Sequence, residues 1–381
     1  MKTIRIAGAS GFWGDSSIAV PQLLREPLDF ITLDYLAEIT MSIMARARAK
    51  SPALGYAPDF VDMVLRHAAT FAERGIRVIA NAGGVNPLAC AEAIRERLAA
   101  AGIMLKVGVV TGDDLTDRAG EWRDAGATEM FSGASMPGNL LSLNTYLGAE
   151  PIAAALDAGA DIVVTGRCVD SALTLGACIH AFGWSRDDLD ARAGGSLAGH
   201  ILECGAQASG GIHTDWQDTG DWADIGYPIA EVSADGSFVV SKPRDTGGLV
   251  SFGTVAEQML YEIGDPACYI LPDVICDFTQ VKIEQLAPDL VHVSGARGLP
   301  PTGHYKASAT WPDGFRVGAF LMIGGINAAA KADKVAGAIF SRVSAILASR
   351  QMPAFTDTSH EAIGAEITYG PASRGRSSRE V

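Results

Sequence analysis

The segment 158–182, AGADIVVTGRCVDSALTLGACIHAF, carries the pattern that decides the fold. Residues 161–165 form a short β-branched, apolar run between two glycines, which is typical of a strand buried on both faces of a parallel sheet. Residues 171–182 follow with small and apolar side chains at helical spacing. Arg167 and Asp170 therefore lie on a loop between a strand and a helix, at the edge of an open α/β sheet where ligands bind.

The same order of strand, polar loop and helix recurs along the first half of the chain. Short apolar runs alternate with helical patterns, and polar or glycine residues gather where the runs end. The predicted strands lie at 3–7, 30–34, 77–80, 105–110 and 161–165. Five such units predict the α/β class, with a doubly wound, mostly parallel sheet and a ligand crevice at one edge.

The loops that follow these strands supply the candidate substrate-binding residues. The loop 81–87, NAGGVNP, combines amide side chains with backbone N–H groups that can bind a carbonyl or phosphate oxygen, although the same residues are favoured in a plain turn. We expect the loops around Asp15, Asn81, Asp113 and Arg167 to converge on one crevice. The predicted substrate contacts are Asn81, Gly83, Gly84, Asn86, Ser10, Asp15, Asp113 and Asp114.

Residues 8–14, GASGFWG, form the G-x-x-G-x-x-G turn of extended short-chain dehydrogenases after the first strand. Such a turn cradles a pyrophosphate, and Asp34 stands where a ribose-binding acid belongs. However, Asp15 follows the last glycine and would repel a phosphate, and no Tyr-x-x-x-Lys pair is present for hydride chemistry. We therefore expect no tight binding of NAD or NADP. A nucleotide-dependent oxidoreductase is an alternative function, and a tight strand-to-helix turn is an alternative role for the glycines.

Four residues are the candidate catalytic groups: Asp170, His200, Arg167 and Glu203. An arginine at a strand end is suited to bind a carboxylate or phosphate, and Asp170 can orient it or act as a base, although a loop salt bridge would use the same pair. His200 and Glu203 lie three apart on a predicted helix, so their side chains share a face.

Three further patterns have two readings each. Asp34 and Glu38 lie four apart on a predicted helix, which suits acid–base chemistry but is also common on helix surfaces. Cys204 beside His200 can be a nucleophile or a buried structural cysteine. A metal held by His200, Glu203 and His213 matches no strong ligand spacing, so we predict no metal site.

The composition limits the classes of partner. The 381 residues carry a net charge of −14, which argues against binding to nucleic acid or to an anionic membrane surface. No apolar run reaches the ~20 residues of a membrane span. Six cysteines without a C-x-x-C pair, and no secretory segment, indicate a cytoplasmic location. We expect a small-molecule substrate.

The character of the sequence changes after residue 214. We predict an α/β domain with the crevice at 1–214, a smaller α+β domain at 225–350, and a polar tail at 351–381. Asp-Gly pairs at 235–236 and 313–314 predict two hairpin turns in the second domain. Its basic loops, one with Lys306, could close over an anionic ligand.

Several motifs occur in order along the chain: GASGFWGD, LDYLAEITM, NAGGVNP, VVTGDDL, GADIVVTGRCVDSA, AGHILECGAQASGG, KPRDTGGLV and EQMLYEIGDP. From residue 4 to about 310 they resemble the acyclic terpene utilisation protein A family and its N-terminal domain. This resemblance implies a place in the breakdown of citronellol- and geraniol-type compounds and other acids through acyl-CoA thioesters, and supplies no catalytic assignment. Similar sequences continue beyond the equivalent of residues 379–381 into, or pair with, a ferredoxin-like domain. We therefore expect either a truncated product or a small ferredoxin-like partner subunit.

We predict an enzyme of a carboxylate or acyl-CoA catabolic pathway, of the lyase or hydratase type. The loop Asn81 to Asn86 would polarise a carbonyl, and Asp170 or His200 would act as the base. No cofactor is firmly implied, and CoA would enter as part of the substrate. The third possibility is a non-catalytic binding or scaffold subunit. We also expect a homo-oligomer that associates through a strand at 315–323 and a helix at 328–347.

Overall fold

The computed structural model describes residues 2–365, 369 and 370. Of the predicted polar tail 351–381, residues 366–368 and 371–381 lie outside the described residues. The strands are β1 Thr3–Gly8, β2 Phe30–Leu33, β3 Arg77–Ala80, β4 Val107–Val110, β5 Ser142–Thr145, β6 Ile162–Thr165, β7 Ile229–Ser233, β8 Phe238–Ser241, β9 Tyr269–Ile270, β10 Ile275–Asp277, β11 Lys282–Ala287, β12 Leu290–Ser294, β13 Arg297–Leu299 and β14 Ala307–Thr310. The α-helices are α1 Ala19–Leu23, α2 Glu38–Lys50, α3 Pro58–Arg74, α4 Pro87–Ala100, α5 Ala119–Asp124, α6 Glu150–Asp157, α7 Ala172–Phe182, α8 Leu189–Leu202, α9 Phe252–Leu260 and α10 Ala328–Ser349.

A mixed sheet of nine strands organises the fold, in the order β11-β12-β8-β7-β1-β2-β3-β6-β4. From β1 to β4 every neighbouring pair is parallel, and from β1 to β11 every neighbouring pair is antiparallel. The predicted mixed α/β class is confirmed. The doubly wound arrangement stays a prediction.

Helices cover both faces of the parallel half of this sheet. Helices α1, α2, α3 and α4 pack in one hydrophobic core with the side chains of one face, whereas α6, α7 and α8 pack in the other core. The helices that connect β1 to β2, β2 to β3 and β3 to β4 thus lie on one face of the sheet, and helix α6, which lies between β4 and β6 in the chain, is on the other. Right-handed crossovers require this change of face where the strand order reverses. The connections after β3 and β6 therefore leave to opposite faces, which is the arrangement that favours a ligand crevice between adjacent strand ends.

Local sequence explains why the elements begin and end where they do. Helix α3 starts at Pro58, whose fixed φ suits the first turn, and it stops before Gly75, which adopts a left-handed φ of 66°. Phe60, Val64 and Phe71 share its buried face. The strands β2 and β6 are buried at every residue, which accounts for their continuous apolar runs.

Three predictions about local structure are wrong. Asp34 follows the end of β2 and lies outside α2, so it does not share a helix face with Glu38. The second hairpin, at Asp313 and Gly314, and the strand at 315–323 do not form. Strand β14, which precedes that turn, pairs instead with β5 in a separate antiparallel ladder.

The sheet continues through the point where we expected a domain boundary. Strands β7, β8, β11 and β12 follow residue 225, yet they extend the same sheet as β1, and the hairpin turn at Gly236 joins β7 to β8. The chain divides instead into two compact units, Met1–Pro312 and Asp313–Val381. Throughout the described part of the chain, no helix has the length and apolar content that crossing a membrane requires.

Candidate active site

The carboxyl end of β2 carries a buried carboxyl group, Asp34. Its Oδ1 accepts hydrogen bonds from Asn81 Nδ2, at 2.7 Å, and from the backbone N–H of Leu36, at 3.1 Å. Asn81 also accepts the backbone N–H of Tyr35 through Oδ1, at 2.7 Å. Ser10 donates to the Asp34 carbonyl at 2.9 Å. The predicted contacts Ser10 and Asn81 thus hold Asp34 in place, between the ends of β1 and β3.

Arg167, just past β6, is the cation of this edge. Its guanidinium is 3% exposed and donates from one nitrogen to the Leu36 carbonyl, at 2.6 Å, and to Asp170 Oδ1, at 3.1 Å. It stacks on the Tyr146 ring, with 4.3 Å between the guanidinium carbon and the ring centroid. Its Nε is buried and has no hydrogen-bond partner among the described residues. One donor of this buried cation is thus unpaired, which is uncommon for a buried polar group.

Two carboxyl groups beside Arg167 have raised pKa values. Burial raises the pKa of Asp34 to about 6, although Arg167 and the Asn81 hydrogen bond oppose the change. Burial and the neighbouring Asp34 raise the pKa of Asp170 well above its usual range, against the pull of Arg167. The Asp170 side chain is 33% exposed. It is therefore the carboxyl group of the pair that a ligand can reach.

His200 and Glu203 lie behind this pair, at the end of α8. His200 Nδ1 and Glu203 Oε1 are 2.7 Å apart, as the i, i+3 spacing predicted. Burial lowers the pKa of His200, but Glu203 outweighs it and the net pKa is raised. His200 Nε2 is buried and unpartnered. Glu203 also contributes to the raised pKa values of Asp34 and Asp170, so the four groups form one electrostatic cluster.

Asp113, after β4, fixes the loop that carries Arg167. Its Oδ2 accepts the Arg167 backbone N–H, at 2.8 Å, and Asn144 Nδ2, at 2.9 Å. A Cβ on Gly166 would lie 2.5 Å from the same carboxylate, so glycine is needed there. Burial raises the pKa of Asp113, against these hydrogen bonds. Asp114 instead forms a partly exposed ion pair with Arg48, at 3.0 Å, outside the cluster.

The loop 81–87 is closed on itself. The N–H of Gly84 donates to the Asn81 carbonyl, and the N–H of Asn86 donates to the Gly83 carbonyl. The N–H of Val85 donates to the Gly55 carbonyl. A Cβ on Gly83 would lie 2.4 Å from the Thr165 carbonyl, and one on Gly84 would lie 2.1 Å from a methionine sulfur. The Asn86 amide donates to the carbonyls of residues 52 and 54. Gly83 and Gly84 therefore allow β3 and β6 to approach, and Asn86 is directed away from the cluster.

The glycine turn binds a carboxylate of its own chain. Asp15 Oδ2 accepts the Gly11 N–H at 2.9 Å, and Asp15 Oδ1 accepts the Tyr227 hydroxyl at 2.8 Å. A Cβ on Gly8 would lie 2.2 Å from the carbonyl of the last residue of α8, and one on Gly11 would lie 2.6 Å from the backbone of Cys204. The glycines thus make room for the end of α8, and Asp15 occupies donors that a phosphate would use.

The structure brings three of the four expected loops together. Asn81 is joined to the Asp34 carboxyl, Asp113 to the Arg167 backbone, and β3 and β6 are adjacent. Asp15 stands apart, at the end of β1 and beside Tyr227.

Three residues of the site are absent from the predicted site set. The sequence indicates Asp34 as a ribose-binding acid or, with Glu38, as an acid–base pair, and it indicates Lys306 only as part of a basic loop. Tyr146 follows β5, a strand without a clear sequence signal, and donates its hydroxyl to Glu38. Lys306 Nζ lies 4.8 Å from the Tyr146 ring centroid and 3.6 Å from Glu38. The Tyr146 ring thus lies between two cations at the mouth of the cluster.

His213 and the cysteines do not take the metal-binding or nucleophilic roles that their sequence positions allowed. His213 Nδ1 contacts Glu257 at 2.9 Å, so it does not join His200. Burial raises the pKa of the Cys204 thiol, which keeps it protonated at neutral pH. Within residues 2–365, 369 and 370 there is no group of three His, Cys, Asp or Glu side chains placed to hold a metal ion. All six cysteines, which are described in full, are unpaired.

The family comparison agrees with the resemblance drawn from the motifs. The family model described as acyclic terpene utilisation family protein AtuA matches residues 4–380. No curated protein and no solved structure matches the chain.

Proposed function

The chain belongs to the AtuA family, and from this premise we propose that it is an enzyme of acyclic terpene utilisation that acts on a carboxylate or acyl-CoA thioester as a lyase or hydratase. The observation that carries the proposal is the pairing of a reachable carboxyl group, Asp170, with a buried cation that keeps one free donor, Arg167. A base beside a donor for an oxyanion is what proton removal next to a carbonyl requires.

In the proposed reaction, Arg167 donates to the carbonyl oxygen of the substrate and Asp170 takes the proton from the adjacent carbon. The electrons of that C–H bond pass into an enolate whose negative charge Arg167 stabilises. The hydroxyl group on the next carbon then leaves as water with the proton that Asp170 has taken, which restores the Asp170 carboxylate. Hydration follows the same steps in reverse.

Exposure favours Asp170 over His200 as the base. Both groups are candidates by chemistry, but His200 is 1% exposed and its Nδ1 is bound to Glu203. We assign Glu203 as a positioning residue whose negative charge contributes to the raised pKa values of Asp34 and Asp170, and His200 as the partner that holds the Glu203 carboxylate.

Deuterium exchange tests the proposal without knowledge of the natural substrate. The full chain is incubated in D₂O with a panel of straight and branched acyl-CoA thioesters and the matching free acids, and loss of the proton next to the carbonyl is followed by NMR. We expect exchange with at least one compound, and a loss of roughly 100-fold or more in Asp170→Asn and Arg167→Met, because general-base catalysis supplies roughly 10²–10⁴-fold.

Asp114→Asn is the matched control, because Asp114 also follows a strand of the sheet but pairs with Arg48 outside the cluster. Exchange that survives in Asp170→Asn would remove Asp170 as the base. Tight binding of a panel compound with no exchange at any pH would favour a non-catalytic binding subunit, and micromolar binding of NAD or NADP would favour the oxidoreductase.

We also propose that the chain forms a homo-oligomer through the unit Asp313–Val381. Phe315, Val317, Phe320 and Met322 are each more than four-fifths exposed, and α10 has no fully buried residue. Exposed apolar patches of this kind commonly mark an interface. Light scattering should show an oligomer that Phe320→Glu weakens. A monodisperse monomer at high concentration would contradict this, and a co-purifying small subunit would assign the surface to that partner.

A further inference from the structure

A second cleft lies beside the glycine turn, at the ends of β1 and β2 and on the face covered by α1 and α3. Its volume is about 530 Å³, within the roughly 300–1,000 Å³ range of small-molecule sites. The catalytic proposal above makes no use of it. We call it the glycine-turn cleft.

The interior of the glycine-turn cleft is apolar. Val20, Leu33, Tyr35 and Met63 line it, and all but Met63 are buried residues of the core on this face. Phe12 stands at the same cleft with 58% of its surface exposed, an unusual position for a phenylalanine on a chain turn. An apolar lining of this size binds a hydrocarbon group, because burial of apolar surface is the available driving force.

The rim of the cleft is acidic. Asp15, Asp59 and Asp62 line it together with Arg66 and His67. Burial and the nearby Arg66 lower the pKa of His67, which disfavours its charged form. Asp62 forms an ion pair with Arg97, so the three carboxylates are accompanied by two guanidinium groups and keep a net negative charge. Asp59 is also bound to the indole N–H of Trp13, at 2.6 Å. A phosphate or carboxylate would be repelled at this rim, so the anionic end of a ligand has to lie elsewhere.

The cleft and the Asp34 cluster share a stretch of backbone. Leu33 and Tyr35, which line the cleft, are the chain neighbours of Asp34. Ser10 lines the cleft as well and donates its hydroxyl to the Asp34 carbonyl. The cationic groups, Arg167 and Lys306, do not line the cleft and lie beside the Tyr146 ring.

We propose that the glycine-turn cleft binds the aliphatic chain of the substrate, with its polar carbonyl end held at Arg167 and its carbon chain passing Asp34 into the cleft. The orientation rests on the proposed function, whereas the apolar site does not. The acidic rim fixes the direction, because the reverse placement would bring an acid or a CoA phosphate against Asp15, Asp59 and Asp62.

Two homologous series of ligands test the apolar site and the orientation of the substrate separately. Binding of n-alkanols and of n-alkanoates, from four to twelve carbons, is measured by calorimetry on the full chain. In both series each added methylene should tighten binding about fourfold, equivalent to ~0.8 kcal/mol, until the cleft is filled. Arg167→Met should weaken every alkanoate by a similar factor, leave the gain per methylene unchanged, and leave the alkanols unaffected.

Ser17→Trp blocks the cleft in the test, because Ser17 lines it and is exposed, so the larger side chain has room without disturbing the core. Ala99→Trp, at an exposed position of α4 outside the cleft, is the matched control. We expect Ser17→Trp to remove the dependence on chain length in both series, with a melting temperature equal to that of Ala99→Trp.

The possible outcomes are distinct. Alkanols that bind without a chain-length trend, or a trend that survives in Ser17→Trp, would overturn the proposal. Alkylammonium ions that bind more tightly than alkanoates of equal length, and lose this in Ser17→Trp, would also overturn it and identify an organic-cation site. A chain-length trend in alkanols together with alkanoate binding that ignores Arg167→Met would support the cleft and refute the proposed function.

Discussion

Replacement of Asp34 by asparagine should stabilise the protein at neutral pH, although Asp34 lies in the candidate active site. Burial raises the pKa of Asp34 from 3.8 to about 6. Between those two pH values the folded chain holds the proton more tightly than the unfolded chain does, so stability falls as the pH rises through this window and stays lower above it. At roughly 1.4 kcal/mol per pH unit the loss is about 3 kcal/mol.

The amide introduced by Asp34→Asn keeps an acceptor oxygen for the N–H groups of Asn81 and Leu36 but carries no charge at any pH. We therefore expect Asp34→Asn to match the wild type near pH 4 and to be more stable by up to about 3 kcal/mol at pH 8. It should also lower the pKa of Asp170, because Asp34 contributes to raising it. Proton exchange of the substrate should be largely lost in the same variant, because a lower pKa makes Asp170 a weaker base.

Urea unfolding followed by circular dichroism at intervals from pH 4 to pH 8 measures the difference. Asp114→Asn is the control, since it removes a carboxylate from a neighbouring loop that forms only a partly exposed ion pair. That variant should differ little from the wild type at any pH. A stability difference between Asp34→Asn and the wild type that is the same at pH 4.5 and pH 8 would refute the assignment of Asp34 as a destabilising buried carboxyl.

Three further outcomes follow from single contacts. Asn81→Ala should lower the free energy of unfolding by about 2–5 kcal/mol in urea titrations, because it leaves the Tyr35 N–H without a partner and removes one of the two hydrogen bonds to Asp34 Oδ1, whereas a change below about 1 kcal/mol would contradict this. Gly8→Ala should lower the melting temperature by several degrees, since its Cβ would lie 2.2 Å from a carbonyl of α8, and an unchanged value would remove the packing role of that glycine. Asp15→Ser should create measurable sulfate binding by freeing the Gly11 N–H, while the wild type shows no micromolar affinity for NAD or NADP in calorimetry.

The strands of the parallel half could be predicted because their signal is local. Strands buried on both faces need continuous apolar runs, and residues 77–80 were predicted with their observed bounds. Pairing between distant segments has no such signal. Nothing local shows that β7 joins β1, or that β14 pairs with β5, although Ala307 lies opposite Thr145 in that ladder. The second Asp-Gly pair, at 313–314, forms no hairpin for this reason, because β14, which precedes it, pairs with β5.

The residues of the candidate site also divide into those with a local sequence signal and those without one. Arg167 and Asp170 were found because they end a strand with a clear pattern, and the chain places them beside Asn81 as expected. Tyr146 and Lys306 reach the site only through the pairing of β5 with β14, which the sequence does not reveal. The sequence places Asp34 at the correct strand end but indicates a ribose-binding role for it. A glycine turn followed by a distant acid has the same sequence pattern when the turn binds a phosphate and when it binds its own Asp15.

The cluster lowers the stability of the folded state, and this loss is itself an argument for function. An arginine that is 3% exposed, with one donor unpaired, and two carboxyl groups near their protonation point all reduce the stability of the folded state. Apolar residues of similar volume would pack the same space without these losses. The cluster also lies between β3 and β6, where the connections leave to opposite faces of the sheet. Destabilising polar groups at an edge where the topology favours a crevice are expected of a site maintained for chemistry. The variant Asp34→Asn tests both parts of this argument, because it should gain stability and lose proton exchange.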